Sequence, residues 1–302
     1  MDDCEFQEFG GDWTAIKLEI LKKYLTAYTR ALKSKPKPDN PFKLLYIDAF
    51  AGAGKYLPKR QKQHEPLMFS QLEHRSFEAK SGSARTALEI DLPFHEYYFI
   101  EKNPKNVAKL RELKEEYPEL SDRINVIEGD SAIELGAIIE KTSWKMERAV
   151  LFLDPFALNV SWKTIADVAK TSSIDMWLLF SIHAINRMLT KSGKIDPKWE
   201  LKLDDVFGEK TWRQEFYEPS KQTTIFNFGA NVSCEFVKNA DFNKINGYIN
   251  KRLNSVFAGV AKKPAVLRNS TNTPLFSLFF AVSNENGKDV ALKIANSILR
   301  NS

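Results

Sequence analysis

Five short apolar runs, separated by stretches with helical spacing, set the strongest limit on how this chain can fold. They fall at 44–50, 97–100, 124–127, 149–153 and 174–182. A near-continuous apolar run of this length suits a strand covered on both faces. Between them, Val107, Leu110 and Leu113 recur at helical spacing, as do Ile133, Leu135, Ile138 and Ile139, and then Ile165, Val168 and Ala169. Asn103-Pro104 and Ser161 supply helix starts. Strands alternating with helices predict an α/β fold with a doubly wound, mainly parallel, Rossmann-like sheet.

The flanks break this rhythm. After Asp12, the residues Trp13, Ile16, Ile20, Leu21, Tyr24, Leu25, Tyr28 and Leu32 predict a helix to about Lys33, packed on the sheet through that stripe. A polar, Pro-rich linker, KSKPKPDNP, follows. Residues 191–262 read as helical and carry many aromatics, among them Trp199, Phe207, Trp212, Phe216 and Tyr248. Two strands at 265–268 and 275–282 and a helix at 290–299 close the chain. The expected organisation is an N-terminal helix plus sheet core over 1–190, a helical subdomain over 191–262, and closing elements over 263–302.

Composition excludes several classes. The chain has 302 residues, 43% hydrophobic and 27% charged, which is a globular balance. Its two cysteines, Cys4 and Cys234, are far apart, so neither a disulfide scaffold nor a zinc finger is expected, and a reduced, cytoplasmic setting is. No apolar run reaches spanning length, and the acidic start MDDCEFQEFGGDW does not read as a signal peptide. The histidines show no metal spacing. A net charge of +5 permits a nucleic-acid partner without requiring one.

Ligands of open α/β sheets bind outside the carboxyl ends of the strands. Four predicted strands end unusually: Asp48-Ala-Phe-Ala-Gly-Ala-Gly54, Glu101, Gly129-Asp130 and Asp154-Pro155-Phe156. Glycines allow a sharp turn and close backbone approach to a ligand. The first motif resembles the cofactor loop of S-adenosylmethionine-dependent methyltransferases, especially amino-group methylators with a Phe-Ala-Gly core. The likeness implies that Asp48 lies near the cofactor's amino group, with Phe50, Ala51, Gly52 and Gly54 beside its methionine part. It implies that Glu101 holds the ribose hydroxyls, and that Asp130, with Ser131, meets the adenine. A carboxylate can accept from vicinal hydroxyls or an exocyclic N–H.

Asp154-Pro155-Phe156 resembles the Asp/Asn-Pro-Pro-Tyr/Phe motif of methyltransferases that act on exocyclic amines, without the second proline. The shorter form is similar to that of tRNA guanine-N2 methyltransferases. The likeness implies catalytic roles. Asp154 and the Pro155 carbonyl accept the two N–H bonds of a ring amine, whose lone pair is otherwise delocalised, and Phe156 stacks on the base.

Across most of the chain, WTAIKLEILKKYL, YIDAFAGAGKY, SGSARTAL, FIEKN, EGDS, LFLDPFALNVSW and PLFSLFFAVSN resemble the three-Cys-motif partner (TcmP) family, methyltransferase-like proteins of bacterial and phage-related contexts. That resemblance implies a three-cysteine partner protein and, in some members, a winged-helix segment. Three readings follow: a methyltransferase acting on nucleic acid, RNA or DNA; a binding module working with the partner; or a Mg²⁺ nuclease, which needs Asp48, Glu101 and Asp154 to converge within a few ångströms.

Gly54 and Glu101 lie 47 positions apart, where about twenty would be usual by analogy with dinucleotide folds. The insertion carries Lys55, Lys59, Arg60 and Lys62 beside the expected cofactor loop, positions suited to an anionic substrate. Arg187, after the fifth strand, could meet a phosphate or Asp154; a structural ion pair is the plainer reading.

Overall fold

The computed structural model describes residues 12–33, 42–56, 80–220 and 236–300. The described elements start with helix α1 (Asp12–Lys33) and continue through β1 (Lys43–Asp48), a short antiparallel pair β2 (Lys55–Tyr56) and β3 (Lys80–Ser81), α2 (Ser83–Leu88), β4 (Glu96–Glu101) and α3 (Pro104–Glu116). Next come β5 (Ile124–Glu128), α4 (Ser131–Lys141), β6 (Glu147–Leu153), α5 (Trp162–Lys170), β7 (Ile174–Phe180) and α6 (Ile182–Met188). Then α7 (Pro197–Phe207), α8 (Trp212–Phe216), β8 (Tyr217–Pro219), β9 (Phe236–Lys238), α9 (Phe242–Asn254), β10 (Gly259–Val260), β11 (Ala265–Arg268), β12 (Pro274–Val282) and α10 (Lys288–Arg300) follow.

The central sheet runs β10-β12-β7-β6-β1-β4-β5, with β11 also on β12. The five strands from β7 to β5 are parallel, and β12 is antiparallel to β7. This is the doubly wound, mainly parallel, Rossmann-like sheet that the sequence pattern predicts. All seven residues of β7 are buried, as a strand covered on both faces requires. From β1 the chain moves outward to β4 and β5, then returns to β6 on the other side of β1. That reversal is a topological switch point, and it opens a crevice between the carboxyl ends of β1 and β6.

Helices cover both faces. One face carries Leu21, Tyr24 and Leu25 of α1, Ala84 and Ala87 of α2, Leu110 and Leu113 of α3, and Ala295 of α10. The other carries Leu135 of α4, Val168 of α5 and, in the same core, Leu203, Phe207, Phe216 and Leu253 of α7, α8 and α9. The helices of 197–254 are therefore packed onto the sheet and share its core. Phe207, Phe216 and Tyr248 meet edge to face there, while Trp199 and Phe236 stay exposed. Within the stretch expected to be helical, β8 and β9 pair antiparallel beside α8 and α9.

Three local expectations need correction. The first strand stops at Asp48, not at position 50, because Asp48 Oδ1 accepts the Phe50 N–H at 3.2 Å and turns the chain. The fifth stops at Phe180, and Ile182 already begins α6. In α1 the buried stripe includes Lys17 but not Ile16, which is 39% exposed. Lys17 turns inward because its ammonium finds a carboxylate there.

Candidate functional site

The loop after β1 is tied to both neighbouring strands. Ala49 N–H donates to Phe152 O in β6, and Ala51 N–H donates to Ile100 O in β4. Gly52 and Gly54 hold φ values of +60° and +69°, a region that L side chains rarely adopt. A Cβ on Gly52 would meet nothing within 4 Å, so that backbone faces open space. Gly82, at the start of α2, donates to Gly54 O at 2.9 Å, and a Cβ there would strike the same oxygen. The two glycines thus let α2 close against the loop from behind.

Glu101 ends β4 and faces this loop. Its Oε2 accepts Gly52 N–H at 2.9 Å and its Oε1 accepts Asn103 N–H at 2.7 Å. The carboxylate is fixed in orientation, and each oxygen keeps a further acceptor position. Asp130 caps α4 through Ala132 N–H to Oδ1, and Lys102 lies 3.5 Å from its Oδ2. Ser131 begins α4 beside it.

Asp154 follows β6, the strand next to β1. Lys17 donates to its Oδ2 in a short ion pair, and the ammonium belongs to a residue only 6% exposed. Among the described residues, no hydrogen bond is made to Asp154 Oδ1 or to the Pro155 carbonyl. Phe156 is 72% exposed, and Ala157 takes φ +58° to turn the chain away. The Phe156 ring lies on the cleft wall, open to whatever enters the cleft.

These features share one cleft of about 1070 Å³. Its wall includes Phe50, Ala51, Gly52, Gly54, Glu101, Asp130, Ser131, Asp154, Pro155, Phe156 and Arg187. Ligand pockets commonly span about 300–1,000 Å³, so this cleft accommodates a nucleoside-sized molecule and a second group beside it. Asp48 stands one layer behind the wall, 0% exposed. Burial pushes its carboxyl up to about 7, against the lowering pull of the Ser83 hydroxyl and the Phe50 N–H; nearby Asp154 raises it and Lys17 lowers it. Its Oδ2 makes no hydrogen bond of normal geometry.

Arg187 lies on the cleft wall, exposed, without an ion pair among the described residues; Asp154 takes Lys17 as its partner instead. Lys55 falls in β2, next to the loop, while Lys59, Arg60 and Lys62 lie outside the described residues. Trp13, Thr14, Lys17 and Phe276 also line the cleft. Sequence reasoning assigned α1 to core packing through Trp13 and its stripe, and read Phe276 only as part of a closing strand, and so missed them. The one available signal was a lysine within an otherwise apolar stripe.

Among the described residues, no three His, Cys, Asp or Glu side chains gather in a group that could hold a metal ion, so the convergence that a Mg²⁺ nuclease needs is not met there. No helix among them is long and apolar enough to cross a membrane.

No protein-family model matches the sequence, and no curated protein is similar to it at a significant level. Solved structures similar to it include protein LPL1258 of Legionella pneumophila, of family DUF519, at 14% identity and a TM-score of 0.47, covering 96% of this chain and 92% of that one. Another is yhhF of Escherichia coli, which carries a provisional methyltransferase assignment, at 13% identity and a TM-score of 0.34, covering 58% of this chain and 72% of that one. Neither bears on the chemistry of this chain.

Proposed function

We propose that this protein is a methyltransferase that binds S-adenosylmethionine and methylates an exocyclic amine of a nucleic-acid base. One observation carries the reading. The glycine loop with Glu101 and the Asp154-Pro155-Phe156 corner follow adjacent strands at the switch point and face one cleft.

The residues present fit the cofactor. The open backbone at Gly52 admits its methionine part. Glu101, already oriented by two backbone N–H groups, accepts from the ribose hydroxyls. Asp130 Oδ2 and the start of α4 meet the adenine. Asp48 braces the loop through Phe50 from behind the cleft wall. When bound, the cofactor supplies a methyl group on a positively charged sulfur, which departs as a neutral thioether.

The chain's own residues do the rest. Asp154 Oδ1 and the Pro155 carbonyl accept the two amine N–H bonds and aim the nitrogen lone pair. Lys17 holds the Asp154 carboxylate in place. Phe156 covers the base, and the positioning of both reactants supplies much of the rate. As the new C–N bond forms, the amine sheds one proton to Asp154, which passes it to water. Within a duplex the base has to be flipped out to reach this corner. Arg187, with the Lys55, Lys59, Arg60 and Lys62 segment, meets the phosphates. The family resemblance adds a three-cysteine partner protein to this proposal, bound while the chain works on nucleic acid.

The test is transfer of a labelled methyl group from S-adenosylmethionine to mixed RNA and DNA. Asp154→Ala lowers transfer by about 100- to 1,000-fold while cofactor affinity stays within about threefold, because one side chain at the amine end carries transition-state contacts and few ground-state ones. Normal methylation by that variant refutes the assignment.

A further inference from the structure

The chain between α6 and α7 leaves the cleft and returns to it. Arg187 near the end of α6 and Lys202 within α7 both line its wall, as do Phe156 and Asn159. Residues 187–202 carry five cations, Arg187, Lys191, Lys194, Lys198 and Lys202, against two carboxylates. Both carboxylates are already engaged. Asp196 Oδ1 accepts the Lys198 N–H at the start of α7, and Glu200 pairs with Arg213. Lys202 pairs with Asp205. The other four cations are exposed and have no ion pair among the described residues. Lys198 and Lys202 lie four positions apart and share a face of α7, so the charge runs from the cleft wall outward. Two rings stand beside it. Trp199, next to Lys198, is 40% exposed, and Phe236 is 49% exposed. A Cβ on Gly193, between Lys191 and Lys194, would lie 3.4 Å from Phe236 Cβ. The stretch is pinned there. Lys238 N–H donates to Lys191 O at 2.9 Å, and the Lys238 ammonium donates to Asn186 O at 2.9 Å and Asn186 Oδ1 at 2.7 Å. Cations and rings therefore sit on packed backbone.

We propose that this surface is a track for the unpaired strand that flanks the target base. The inference rests on the methyl-transfer reading above only for where the track begins. Like charges spaced along a surface repel one another, and a partner with a row of anions relieves that repulsion. A nucleic-acid strand brings one phosphate per nucleotide. Exposed rings among those cations favour flat faces to stack on, and every base has one. A duplex hides its base faces in the stack, and an acidic peptide offers anions without them. Spaced cations interleaved with rings thus fit a single strand, RNA or DNA, and read no sequence. The base taken into the cleft meets Phe156. Its neighbours follow Lys202 and Lys198 toward Trp199 and Phe236, with phosphates on Lys191 and Lys194.

The experiment measures, by fluorescence anisotropy across a salt series, how the full chain binds oligouridine, oligothymidine and a DNA duplex of equal length. At least one single strand is expected to bind more tightly than the duplex, and the tighter of the two identifies RNA or DNA. Lys191→Gln/Lys194→Gln/Lys198→Gln lowers the slope of log affinity against log salt by about 2. Trp199→Ala and Phe236→Ala each weaken single-strand binding about fivefold or more and leave that slope unchanged. Lys262→Gln/Lys263→Gln/Lys293→Gln removes equal charge from exposed positions elsewhere and leaves binding unchanged. Retained S-adenosylhomocysteine affinity shows that each variant is folded. An unchanged slope in the first triple variant, an equal fall in both triple variants, or tighter binding of the duplex overturns the track. Transfer of labelled methyl to single strands of mixed sequence separates the two readings. If the wild type binds single strands through these residues yet transfers no label, the track stands and the methyl-transfer reading falls. If the first triple variant transfers label with unchanged KM, the track falls and that reading stands.

Discussion

The two ends of the sheet are built to different rules, and α1 touches both. At the amino end of β7, the Tyr24 hydroxyl donates to Asp175 Oδ2 at 2.6 Å, deep in the core. Around that end, Lys43 pairs with Glu96, Arg148 donates to the Trp144 and Glu147 carbonyls, and the Phe94 N–H donates to the Tyr97 hydroxyl. Polar groups there are spent on one another. At the carboxyl end, α1 meets Asp154 through Lys17, but Asp48 Oδ2 and the Thr14 hydroxyl go unpartnered, a ring stands in water, and three residues hold positive φ. One end is closed by its own hydrogen bonds, although Ser172 just before β7 takes φ +51° as Ala157 does at the other end; the other end holds acceptors ready for something else. Unmet polar groups gather where function does.

Replacing Asp154 should separate the ends most sharply. Asp154→Ala is expected to lower methyl transfer by about 100- to 1,000-fold, the range seen when a single group at the reacting centre is lost. It also strands the Lys17 ammonium in a nearly buried position, which costs about 3 kcal/mol in thermal or denaturant unfolding. The double variant Lys17→Met/Asp154→Asn recovers that stability but not the rate. If the double variant recovers both, the ion pair is only structural.

The two buried carboxyls give the next largest effect. Burial pushes Asp48 and Asp175 each up to about 7, with Tyr24 and Arg148 pulling Asp175 back down. A folded pKa above the unfolded value means that the folded state holds protons the unfolded state has released. The stabilisation is full below about pH 4 and is lost as pH rises through about 7, by a few kcal/mol per group at most. Denaturant unfolding is therefore expected to show falling stability from pH 5 to pH 8. Asp175→Asn should remove part of that fall, raising stability at pH 8 by roughly 1–3 kcal/mol and leaving it unchanged below about pH 4. Cofactor binding should not respond, because Asp175 belongs to the closed end. A pH-independent stability would contradict the burial argument.

Backbone packing behind the loop comes third. Gly82→Ala forces a methyl group against Gly54 O, at 2.9 Å from the new Cβ. The loop has to shift, and cofactor affinity is expected to fall about tenfold, about 1.4 kcal/mol. The smallest effect belongs to the rim. Arg187→Ala should weaken binding of single-stranded oligonucleotide a few-fold and reduce the slope of log affinity against log salt by about 0.7, without changing cofactor affinity. An unchanged salt slope removes Arg187 from the phosphate contacts.

The architecture was legible because its signals are local. Each strand is one apolar run, each crossover helix is one periodic stretch, and the caps at Asn103, Asp130 and Ser161 all form the bonds expected of their residue types. The positions proposed to meet the cofactor could be placed for the same reason, since Asp48 and Glu101 each end a strand and the others follow one directly. Lys17 was not. Its partner lies 137 positions away, and a lysine in a helix reads as surface until the sheet brings a carboxylate beneath it. Asp48 was placed in the sequence but not in depth: spacing locates it at the strand end, while only the packing of the loop and α2 shows that it lies behind the wall. The helices of 197–254 were recognised as helices, yet their burial against the sheet depends on contacts between Phe207, Phe216 and Tyr248 that no single window contains.

Calorimetric titration with S-adenosylmethionine, run on the wild type and on Glu101→Ala, tests the account most directly. One molecule bound per chain, with affinity about tenfold weaker or more in Glu101→Ala, is the predicted result, since the proposal has that carboxylate, held by the Gly52 N–H, accept from the ribose hydroxyls. Absence of binding to the wild type, or equal binding by both proteins, would contradict it.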